Sequence, residues 1–255
     1  MKVIQGIVNL SNLSLRSIPE ILRDVEVQGN LHLDQNNLIN LNNCPQKVSG
    51  LFQIDLNQRL KSLVGGPSEV GAIIAHDCKL QSLEGFPKIS HVGTIRQIFR
   101  AIRLDGNDLK SLVGLPTTLP SSLNVSNNAL ITLKGSPEIV NGDCDFSSTN
   151  IKSLEGCPSI ILGDLHLEDS FLENESFWPK EVRGNVFIGN TPLSDKLFPR
   201  KMTRNDKMMI NDIFKSINAV CKIGGDIYEY ESDVEKESNY ERDYDYDPEN
   251  PYDRL

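Results

Sequence analysis

A unit of about 21 residues recurs along this chain, and that recurrence limits the folds open to it more than any other feature. The stretches 29–38, 103–109 and 123–130 each end in L-x-x-N-x-L or a close variant. The final apolar slot can be followed as Leu15, Leu38, Leu60, Leu80, Leu109, Leu130, Ile151, Leu172 and Leu193, at spacings of 23, 22, 20, 29, 21, 21, 21 and 21. Nine units in phase over residues 3–198 are not produced by chance.

Each slot has a physical duty. Pairs such as Leu31/Leu33, Ile102/Leu104, Leu123/Val125, Cys144/Phe146, Leu165/Leu167 and Val186/Ile188 point to one side of a short strand, and the residue between them faces out. Three residues on stands Asn36, Asn107 or Asn128, where a buried amide can satisfy backbone groups of its own and adjacent turns. Gln58, Cys78, Thr149, Ser170 and Thr191 take that slot elsewhere, as weaker versions of the same ladder. A second leucine (Leu41, Leu63, Leu83, Leu112, Leu133, Leu154) closes the core. Two residues later come Asn43, Gly65, Gly85, Gly114, Gly135 or Gly156, which suit a left-handed turn position. Proline at 45, 67, 87, 116, 137 and 158 then blocks a helix, so the convex side should be mostly extended backbone.

This consensus, V-x-G-x-L-x-L-x-x-N-x-L-x-S-L-x-G-x-P, resembles the leucine-rich repeats of bacterial and bacteriophage proteins. The resemblance implies an α/β leucine-rich-repeat solenoid with a concave parallel β-sheet, a surface through which members of the family mostly bind proteins. Leu115-Pro-Thr-Thr-Leu119-Pro120 resembles the repeats of secreted bacterial ubiquitin-ligase effectors. Those carry a separate helical domain with a nucleophilic cysteine, for which 255 residues leave no room, so the likeness is to the repeats only.

Three segments depart from the repeat. The 29-residue unit carries about eight extra residues around 94–103, where Arg96, Arg100 and Arg103 stand at helical spacing. They form either a basic protrusion that grips a partner or a tolerated surface insertion. Residues 203–222 have the apolar spacing of an amphipathic helix, ended by Gly224-Gly225. The expected domains are therefore a solenoid at 1–198, a capping helix at 199–225 that covers the open end, and an acidic tyrosine-rich tail at 226–255. That tail holds twelve carboxylates, three cations and all six tyrosines, cannot bury a core, and is expected to be disordered. It either solubilises the chain or docks on a basic partner surface.

Charge and cysteine usage narrow the function. The net charge of −9 lies wholly in the tail, so the folded part is balanced and direct nucleic-acid binding is disfavoured. The start, Met1-Lys2-Val3-Ile4-Gln5, turns polar before a signal-peptide core could form, and no apolar run is long enough to span a membrane. Five widely spaced cysteines without a CxxC pair fit reduced thiols. The expectation is a cytoplasmic protein, in the bacterial host cell if the chain is phage-encoded.

No catalytic motif, cofactor site or metal site stands out. A histidine–carboxylate patch around His166 (Asp143, Asp145, Asp164, Glu168) reads first as an acidic contact surface, with metal binding as the lesser reading. The chain is thus expected to be a non-enzymatic protein-binding module without catalytic residues or cofactors, with a protein partner of basic or polar surface. The concave face would present His32, Asp34, His76, Arg103, Asp105, Asp145, His166, Glu168 and Phe187, with Arg96 and Arg100 from the insertion. A phage- or bacterium-encoded inhibitor or anti-defence factor is the expected role. The alternatives are an antagonist of nucleic-acid machinery whose tail mimics nucleic acid, and an unrecognised enzyme using the His166 patch.

Overall fold

The computed structural model describes residues 2–90, 101–199 and 204–228. The chain winds as a coil of short parallel strands around one continuous apolar core. Each turn contributes Leu, Ile, Val or Phe from its strand pair, with the slot residue and the closing leucine. Leu31, Leu33, Leu38 and Leu41 in one turn, and Leu123, Val125, Leu130 and Leu133 in another, are almost wholly buried.

The concave strands stack in strict register. Asn9 pairs His32, and the column continues through Gln53, Ile74, Arg103, Asn124, Asp145, His166, Phe187 and Tyr228. A second parallel ladder runs upstream of it through Leu119, Val140, Ile161, Val182 and Ile223. Between the two ladders lies a tight corner. Asp143 Oδ1 accepts from Asp164 N at 2.9 Å, Asp164 Oδ1 from Asn185 N at 2.6 Å, and Asn185 Oδ1 from Asp226 N at 3.1 Å. The preceding glycine leaves room for this chain of bonds. A Cβ on Gly184 would stand 2.0 Å from Asp164 Oδ1.

The asparagine ladder is realised. Asn128 Oδ1 accepts from Leu109 N of the previous turn, and its Nδ2 donates to Leu104 O, Val125 O and Ser126 O. In the turn containing Leu60 the slot belongs to Asn57 rather than Gln58. Asn57 is fully buried, accepts from Leu38 N, and donates to Leu33 O and Ile54 O. That turn holds one extra residue between Asn57 and Leu60, which counting back from the leucine misassigns. Thr149, Ser170 and Thr191 bond only within their own turn, each donating to a local carbonyl at 2.7 Å.

Among the described residues, the convex side is extended and turned rather than helical up to Asn190, apart from the single 3-10 turn Glu20–Leu22. Leu63 O accepts from Gly66 N around Gly65 at φ +85°, and the same closure recurs at Asn43, Gly85, Gly114, Gly135 and Gly156. A positive φ in the third position is the mark of a type II turn.

Among the described residues, α-helices enter only late: α1, Pro192–Leu197, and α2, Arg204–Val220. Thr191 caps α1 through Ser194 N. α2 buries Ile213 and Ile217 in the core. It does not end the fold, however. After it, Lys222–Ile223 and Ile227–Tyr228 add one more rung to both ladders. The folded part thus passes the boundary expected at residue 225, because Ile223-Gly-Gly-Asp-Ile-Tyr228 repeats the corner Val182-Arg-Gly-Asn-Val-Phe187.

Candidate functional site: the concave face

Two columns of side chains project from the concave sheet. One is the registered column from Asn9 to Tyr228. The other follows two residues later in each turn, and its backbone is fixed by bonds such as Gln35 N to Asp55 O, Asp77 N to Asp105 O and Ser148 N to Glu168 O. It carries Asp34, Asp55, His76, Asp105, Ser126, Ser147 and Glu168.

Most polar groups in these columns hold one another. Ser11 Oγ donates to Asp34 Oδ1 at 2.6 Å, and His32 Nδ1 lies 2.7 Å from Gln53 Oε1. His76 bridges two carboxylates, with Nε2 3.5 Å from Asp55 and Nδ1 3.0 Å from Asp77. Arg103 donates from Nε and Nη2 to the two oxygens of Asp105, each at 3.3 Å. Asp145 Oδ1 accepts from the Ser147 amide and hydroxyl, and His166 Nδ1 lies 3.4 Å from Glu168. At the C-terminal end the rings of His166, Phe187 and Tyr228 stack at 4.7 and 5.6 Å.

Burial differs from a freely exposed face. Asp34, Glu168 and Phe187, expected to point into solvent, are buried, because neighbouring rungs only one strand spacing away cover them. Burial also raises the carboxyls of Asp55 and Asp145 above the usual range. The Gln53 bond and His76 oppose this at Asp55, and Ser147 and His166 oppose it at Asp145.

The structure brings His32, Asp34, His76, Arg103, Asp105, Asp145, His166, Glu168 and Phe187 onto one face. It separates Asp143 and Asp164, which cap backbone amides at the corner instead. Arg103 sits in the concave strand Ala101–Arg103 rather than in a helical protrusion, while Arg96 and Arg100 lie outside the described residues. Gln53, Asp55 and Tyr228 join the face without having been singled out from the sequence. Asp55 was detectable two residues before Asn57, once that asparagine is given the ladder slot.

Among the described residues no group of three His, Cys, Asp or Glu side chains is arranged to hold a metal ion. No helix among them is long and apolar enough to cross a membrane. Burial pushes the Cys78 thiol up to about 12 and that of Cys221 up to about 11, and raises Cys44, Cys144 and Cys157 further. At neutral pH these thiols are protonated and poor nucleophiles.

No family model matches this chain, and no curated protein matches it in sequence. A solved structure does. The leucine-rich-repeat domain of a Shigella effector superposes with a TM-score of 0.51 at 17% identity, over 77% of this chain and 81% of that one. At that identity the likeness is one of fold, and together with the registered ladders it makes this chain a leucine-rich-repeat solenoid.

Proposed function

We propose that the chain is a non-enzymatic binding module that takes a protein partner with a basic or polar surface on its concave face. The fold is one that generally serves protein interaction. The observation that carries the finer reading is the charge of the two columns. Asp34, Asp55, Asp105, Asp145 and Glu168 face a single permanent cation, Arg103, on one continuous surface. A field of one sign speeds encounter with an oppositely charged partner and rejects phosphate backbones. The repeat type favours a phage- or bacterium-encoded inhibitor or anti-defence factor acting in the bacterial cytoplasm.

The test is affinity capture from bacterial lysate by the full chain and by an Arg103→Glu/Asp105→Lys swap, which keeps the ion pair but reverses its order. A partner of this face should be enriched by the parent and lost by the swap, with both proteins equally folded by circular dichroism. Equal capture by both would place binding elsewhere.

A further inference from the structure

The flank that follows the concave strands has the opposite character to the concave face. The residue after each final apolar slot from Leu15 to Leu172 is exposed, and successive ones stack, as Gln81 N to Lys61 O at 2.9 Å and Glu173 N to Lys152 O at 3.1 Å show. This ridge presents Arg16, Lys61, Lys110 and Lys152, one in every second turn. Ile39 and Ile131 stand between them, 50% and 67% exposed. Its one carboxylate, Glu173, is 2.9 Å from Lys152, in a pair so exposed that it is readily exchanged.

Residues 229–255 have the complementary composition: eleven carboxylates, three cations and five tyrosines, densest in Glu241-Arg-Asp-Tyr-Asp-Tyr-Asp-Pro-Glu249. They leave the solenoid from Tyr228, on the last rung. Twenty-seven residues reach up to about 90 Å when extended, whereas the five rungs back to Arg103 rise about 24 Å. The acidic concave face repels such a segment and the basic flank attracts it. Tethering holds the segment at an effective concentration of about a millimolar.

We propose that the acidic tail, residues 229–255, docks along this flank of its own chain, its carboxylates on the lysines and its tyrosine rings on Ile131. A ridge that interleaves cations with isoleucines suits a segment that interleaves carboxylates with phenol rings. A docked tail leaves the concave face open and shields the flank from acidic ligands, so the inference stands independently of what the concave face binds.

Zero-length carbodiimide cross-linking of the full chain tests it, with the monomer isolated before peptide mapping. Links should join Lys61, Lys110 or Lys152 to carboxylates between Glu241 and Glu249, and their yield should drop about five-fold in 0.5 M salt. Tail links confined to other lysines, links found only in dimers, or no tail links at all would overturn it.

Discussion

Single side chains in this protein are judged by how many turns they serve. Asn128 bonds backbone groups of two turns, whereas Thr149 in the next slot bonds only its own. Asn128→Leu keeps the volume but strands several buried backbone groups. It should lower the unfolding free energy by about 1–3 kcal/mol in a urea titration. Asp145 acts in the other direction. Its carboxyl is raised from 3.8 by burial, so the folded chain holds that proton more tightly than the unfolded chain. Stability from this group is then lost as pH rises from the ordinary carboxylate range. Asp145→Asn keeps an oxygen for Ser147 and removes the titration. Melting temperature against pH should accordingly fall less steeply above pH ~4 in the variant than in the parent.

At the scale of elements, the legible part of the fold was whatever repeats with a fixed phase. The strand pairs, the turn glycines and the asparagine slots of Asn36, Asn107 and Asn128 all stand where the 21-residue period puts them. Irregular turns were illegible. One inserted residue hid Asn57, and two helices between Phe187 and Ile227 hid the last rung. A second left-handed position, just before the asparagine slot, also escaped notice, since Gln35, Leu56 and Ser148 occupy it as well as Asp, Asn and Gly. On the concave face, register was readable but burial was not, because the cover over Asp34 and Glu168 comes from neighbouring turns rather than from local sequence. The last rung has a measurable consequence. A chain ending at Tyr228 should lose only the weak, salt-screened contribution of the docked tail. One ending at Gly225 loses the Phe187–Tyr228 stack and the Ile227 contact, and should be less stable by about 1–2 kcal/mol in denaturant.

The whole molecule separates its charges while keeping the folded part balanced: carboxylates line the concave columns, lysines alternate along the flank, and the excess acid sits in the tail. Stacked turns fix these surfaces relative to one another, since each rung is bonded to both neighbours and little can shift without breaking register. Such a scaffold recognises a partner by presenting a preformed surface rather than by closing over it. Hydrogen–deuterium exchange of the full chain, with and without its captured partner, tests this most directly. Protection should concentrate in the amides of residues 31–35, 52–56, 101–106, 144–148 and 165–169, with the convex turns at 63–66, 83–86 and 133–136 unchanged; protection at those turns, with the concave amides unaffected, would contradict it.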